Sequence, residues 1–268
     1  MVKRSKYLRP WLDIFSIAAW SVLLLKLWLT NKLNLLIHPA YHWLTIVAGL
    51  GLLLVSGLQG RELLRKRRYR YGWRHAARSA NSQHLSAFPP GWSSTILLAT
   101  AIAGFSIEPT VFSSQTALQR GVNDFLPVTE SQPQAFINAT PPEGRSLIDW
   151  VRTLNVYPEP DAYAGQKVKV NGFVMHLPTL PAEYLLISRF VITCCAADAY
   201  PVGLPVKLNS DFSVGNESPR TDRNDYPPDT WWEIEGKMIA ETLEGKRQLT
   251  IAADSLKPIS EPENPYNY

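Results

Sequence analysis

The only two cysteines of this 268-residue chain stand side by side, as Cys194 and Cys195, and Asp198 follows one turn later. Two thiolates with a carboxylate are donors for a soft or borderline cation such as zinc or copper(I), and His176, the sole histidine of the C-terminal half, is a candidate fourth ligand. Stapling is a poor explanation of the pair. A disulfide between neighbours closes almost no loop and is strained. The same strain makes such a bond labile, which opens a redox-sensing reading. Two plainer readings stand beside these. The cysteines sit on opposite faces of a strand with no shared chemistry, or the turn at residues 196–199 presents a docking surface to a partner protein. Adjacent side chains on a strand diverge, so the metal reading requires the strand to break at Cys195. Catalysis is not expected, because a cysteine nucleophile needs a neighbouring base and only His176 is at hand. No phosphate-cradling glycine loop or metalloprotease helix occurs either, so the chain reads as a non-enzyme.

The elements that must position these residues are strands. Residues 190–193 are β-branched or aromatic and run straight into the thiols. Residues 167–174 alternate polar and apolar around Gly172, and 231–238 repeat that pattern around Gly236. Glycine inside a strand pattern marks a bulge or sharp bend. With 184–193, 204–208 and 248–252, five strands are expected in an all-β domain over 144–268. The spacing suits a five-stranded Greek-key barrel of the oligonucleotide/oligosaccharide-binding type (OB-like), the alternative being another small barrel or a sandwich. Residues 209–229 form a long polar loop. Residues 146–156 place Leu147, Ile148, Val151 and Leu154 at helical spacing. The proline-rich stretch 109–143 reads as a connector. Arg189, at the head of the cysteine strand, is expected to pair with a carboxylate such as Asp198; otherwise it is a solvated charge worth under about 1 kcal/mol.

The N-terminal half is of a different kind. Residues 1–108 carry 14 Lys and Arg against 3 Asp and Glu, whereas 109–268 carry 13 against 20. Three apolar segments, at about 8–30, 41–59 and 92–108, are expected to be transmembrane helices, the third at the short end of the spanning range. Basic residues cluster before the first segment and in the loop 60–91, and the turn between the first two holds only Lys32. The positive-inside rule then places the N-terminus and the basic loop in the cytoplasm and the β domain outside. The first segment is too long, and too closely followed by a second, for a cleaved signal peptide. The basic loop suits anionic membrane lipids at about 1 kcal/mol per residue, and an acidic β domain argues against nucleic acid. Lys26 is placed to snorkel to the interface. His38 and His42 flank the start of the second helix at a spacing that lets both approach one ion. An interfacial belt with Tyr41 and Trp43 explains them better, since two histidines do not complete a zinc site.

The segment from Arg189 to Ala199, reading RFVITCCAADA, resembles the hallmark of the bacterial DUF1980 family, also described as permease subunits of the YcgQ type. Three further stretches match in order: Ile37 to Tyr41; Tyr163 to Val168 with Gly172-Phe173-Val174; and Thr230 to Gly236. The resemblance implies an accessory subunit of an inner-membrane transport system, working beside a multi-pass permease of the YcgR type, in some cases linked to zinc homeostasis. The chain has five histidines in all, fewer than a histidine-rich metal handler would carry.

Overall fold

The computed structural model describes residues 2–69, 92–121, 141–208 and 222–267. Most of the basic loop, the connector from 122 to 140 and most of the polar loop fall outside the described residues. The chain divides into two compact units, Met1–Thr110 and Val111–Tyr268.

Three helices build the first unit: α1 (Val2–Leu29), α2 (His42–Tyr69) and α3 (Trp92–Ser106). Their contacts use small and polar residues, as expected where a hydrophobic driving force between helices is weak. The Ser21 hydroxyl donates to the Gly49 carbonyl at 2.7 Å, and Gly49 lies against Leu25. Gly104 of α3 meets Leu23, where a Cβ would come within 2.6 Å of a methyl group. The Trp20 indole donates to the Leu97 carbonyl at 2.9 Å, Ser94 donates to Asp13, and Lys26 lies 5.4 Å from the centre of the Phe105 ring. These pairs advance together along both helices, so α3 runs beside α1 in the same direction. Large apolar side chains such as Phe15, Leu29, Val47, Leu54, Leu58 and Ile102 point outward, a surface suited to lipid.

Among the described residues two helices, not three, are long and apolar enough to cross a membrane: Arg9–Leu29 and Pro39–Arg65. The third expected span is a helix of 15 residues. At 1.5 Å per residue it extends about 22 Å, short of a hydrocarbon core of about 30 Å.

The second unit begins with a short helix α4 (Ser114–Gln119) and then α5 (Leu147–Val156). The latter is set by a capping box: Ser146 Oγ accepts from Asp149 N–H at 3.2 Å, and Asp149 Oδ2 accepts from Ser146 N–H at 3.0 Å. Leu147, Ile148, Trp150, Val151 and Leu154 are buried against the sheet, as their spacing requires.

The strands are β1 (Lys167–Met175), β2 (Tyr184–Val191), β3 (Tyr200–Lys207), β4 (Trp231–Leu243), β5 (Lys246–Pro258) and a two-residue β6 (Tyr266–Asn267). β1 pairs antiparallel with β4 and β2, β4 with β5, and β2 with β3, while β3 and β5 run parallel. Each of these five strands has two neighbours, so the order β1-β4-β5-β3-β2 returns to β1. Inside lie Val170, Val174, Ile187, Val206, Ile234 and Ile251, each contributing about 1.5–3 kcal/mol by its burial.

The two glycines expected to mark bends, Gly172 and Gly236, sit where the sheet must bend. Gly172 is where β1 leaves β4 for β2, and a Cβ there would meet the Ser188 carbonyl oxygen at 2.5 Å. Gly236 marks a register shift against β5, and a Cβ would lie 2.1 Å from the Ala252 carbonyl oxygen. Gly236→Ala should therefore destabilise the unit by about 2–3 kcal/mol, as overpacking does. Chemical unfolding of residues 111–268 checks this, and an unchanged midpoint would refute the close-approach explanation.

Candidate functional site

β2 ends at Val191, and the chain then leaves the ladder with Ile192 buried and Thr193 and Cys194 exposed. Cys195 leads into a single 3₁₀ turn over Ala196–Asp198, after which β3 returns antiparallel to β2. The strand alternation that would separate adjacent side chains stops before it reaches the thiols. Their sulfurs lie 3.7 Å apart as free thiols.

Asp198 closes the turn. Its Oδ2 accepts from Cys194 N–H at 2.8 Å and from the Thr193 hydroxyl, and its Oδ1 accepts from Cys195 N–H at 3.1 Å. Burial raises the carboxyl pKa, but the hydrogen bonds from Thr193, Cys194 and Cys195 outweigh it and bring it down to about 2. The ionised form therefore holds the loop fully above about pH 4, and that hold is lost as pH falls towards 2. The same carboxylate accepts from the Cys194 thiol and, with Cys195 beside it, raises the Cys194 pKa to about 11. Cys194 is thus a protonated thiol at neutral pH, exposed but weakly nucleophilic.

Among the described residues, Cys194, Cys195 and Asp198 bring one donor atom each to within 4.8 Å of one another. His176 is not with them. β1 and β2 are antiparallel with Met175 opposite Leu186, so His176 lies beside the start of β2, and its Nε2 is 2.8 Å from the Tyr226 carbonyl oxygen. Arg189 is not the expected partner of Asp198, whose oxygens face the Thr193–Cys195 backbone. Arg189 is buried beside β1, donating from Nε to the Asn171 carbonyl at 3.1 Å with its guanidinium over the Trp231 ring. Such a desolvated cation–π contact is worth about 2 kcal/mol. Burial lowers the Arg189 pKa. In the helical unit, His38 Nδ1 accepts from Ala40 N–H at 3.1 Å as the cap of a short turn, and His42 Nε2 is 3.1 Å from the Ile37 carbonyl oxygen.

Three residues that shape the site escaped the sequence reading. Thr193 offers its hydroxyl to Asp198. Arg120 donates to the carbonyls of Ala196, at 3.2 Å, and Ala199. Tyr266 of β6 sits beside Phe190 and Phe112 on the outer face of β2. Thr193 had a signal, an oxygen donor beside the cysteines; Arg120 and Tyr266 had none, each lying 76 positions along the chain from the residue it contacts, Ala196 and Phe190.

Taken together, a helical unit with two candidate spans is joined to a small β domain bearing an exposed thiol–carboxylate cluster at a strand end. The family model described as the DUF1980 C-terminal domain matches residues 146–268, a match consistent with a protein of the DUF1980 family. The match includes the whole cysteine loop and all six strands. No curated protein and no solved structure matches the chain.

Asp198→Asn removes the charge that holds the Cys194 thiol protonated. At pH 8 its alkylation, followed at Cys194 by mass spectrometry, should run at least about 30-fold faster than in the parent as the pKa returns towards the ordinary thiol value. Rates within about twofold would contradict the assigned hydrogen bond.

Proposed function

We propose that the chain is a non-enzymatic accessory subunit of a membrane transport system, and that its β domain holds a thiophilic cation, zinc first, at Cys194, Cys195 and Asp198. The observation that carries this reading is the convergence of three donor atoms within 4.8 Å on an exposed loop. Zinc favours thiolate and carboxylate donors, and a site with three protein ligands keeps one position open. An open, surface-placed site suits an ion that is picked up and handed on. Asp198 can serve both loop and ion, since a carboxylate has about four acceptor positions. Binding would displace the thiol protons, so affinity rises with pH.

The topology is part of the proposal. Basic residues before α1 and after α2 favour a cytoplasmic N-terminus. α3 alone is shorter than a full span. It runs beside α1 in the same direction, from Asp13 and Ser94 to Lys26 and Phe105, and together with its flanking residues it would carry the chain out on the opposite side. The returning ring of five strands supports an OB-like barrel, closed so that no long edge is left open. A multi-pass permease of the YcgR type is the partner this arrangement would serve. A reporter fused after Tyr268 should be active only outside the cytoplasm, and cytoplasmic activity would remove the third crossing.

Cadmium titrated into the full chain in detergent should give one equivalent with a sulfur-to-metal absorption band. The band should vanish in the Cys194→Ser/Cys195→Ser variant and persist in His176→Ala. Equal binding by the double variant would overturn the metal reading. The 3.7 Å sulfur separation also favours a second reading, a vicinal disulfide that reports redox state. Thiols of the isolated native chain that alkylate only after reduction would support that reading; full labelling without reductant would exclude it.

A further inference from the structure

The loop that carries the two thiols is held from outside as well as from within. The chain that follows α3 docks on the outer face of the β domain before any strand has formed. Phe112 packs on Phe190 and Tyr266, with ring centres 5.2 and 5.6 Å away. Its N–H donates to the Tyr266 hydroxyl at 3.0 Å. Ser113 caps α4, Ser114 N–H donates to Asp229, and Ala117 is fully buried. The segment ends at Arg120, whose guanidinium lies 4.8 Å from the centre of the Phe112 ring and donates to the carbonyls of Ala196 and Ala199.

Those two carbonyls bracket Asp198. Arg120 therefore fixes both ends of the turn that places the carboxylate beside Cys194 and Cys195. Both bonds leave one nitrogen, Nη1, whose two hydrogens are held in the guanidinium plane, whereas a lysine ammonium rotates freely and fixes the two carbonyls less well. The strap is also the first structured piece of chain after α3, separated from it by residues 107–111.

We propose that residues 112–120 are a positioning strap for the cysteine loop, with Arg120 as its key residue, and that the strap governs how fast the bound ion is released. The release half of the inference rests on the metal reading above; the positioning half does not.

The test uses the full chain in detergent, as wild type, Arg120→Ala and Arg120→Lys, with cadmium as the probe ion. Two measurements are made on each. Deuterium uptake by the metal-free protein reads the loop at residues 193–199, with the β4–β5 hairpin as an internal control of folding. Transfer of bound cadmium to a chelator, followed by the sulfur-to-metal band, reads release. Arg120→Ala should speed uptake in the loop and leave the hairpin unchanged. It should also speed cadmium loss about tenfold, the size expected for a lost hydrogen bond to a charged group. Arg120→Lys should fall between the two. Unchanged uptake at 193–199 overturns the strap. Faster uptake with unchanged cadmium loss overturns its control of release. A wild type that takes up no cadmium sinks the metal reading, and the uptake comparison then judges the strap alone.

Discussion

One carboxylate organises the region on which the functional account rests. Asp198 accepts hydrogen bonds from the Thr193 hydroxyl and from the backbone N–H groups of Cys194 and Cys195, all within five residues of itself. Those bonds hold it ionised to about pH 2. They also fix the backbone on which the two sulfurs hang, so that neighbours which a strand would point apart lie together. A negative charge beside two thiols disfavours thiolates, as the high pKa of Cys194 records. The arrangement makes a poor nucleophile, and in the reading proposed above a metal ion would supply the positive charge that the cluster lacks.

The loop is placed by the sheet behind it. β2 is buried along its whole length because it is covered on both sides: Ile187 and Val191 face the interior, while Phe190 lies under Phe112 and Tyr266. β6 pairs with β2 only at Phe190 and Val191, immediately before the loop, while β1 pairs with it only as far as Ser188. The aromatic cluster thus seals the end of β2 that β1 leaves. A strand anchored on both faces ends at a definite point, and the loop begins from a rigid base.

Much of this was legible in the sequence, for reasons that can be named. Periodicity located β1, β4 and α5, which bury one face and expose the other, while its β-branched and aromatic run located the fully buried β2. Gly172 and Gly236 announced bends because the carbonyls of Ser188 and Ala252 leave no room for a Cβ. What stayed hidden depended on distant partners or on residues that break the pattern. β3 begins at Tyr200 and not at residue 204, because Pro201 and Pro205 disguise a strand. β4 and β5 run on beyond the expected 231–238 and 248–252 into a long hairpin that turns at Glu244 and Gly245, both with positive φ. The third apolar segment was long enough on paper, yet its helix stops at Ser106. At the site, Asp198 was identified from its spacing. His176 was not a partner, because closeness in composition says nothing about which end of an antiparallel pair a residue occupies. Arg120 reaches the loop across a connector that no local pattern ties to it.

Whether Cys194, Cys195 and Asp198 act as one coordination set, as proposed, can be read by X-ray absorption at the zinc edge of the zinc-loaded full chain. Two sulfur scatterers at about 2.3 Å and oxygen ligands at about 2.0–2.2 Å, in a four-coordinate shell, are expected. A shell of oxygen and nitrogen ligands with no sulfur would overturn the proposed set.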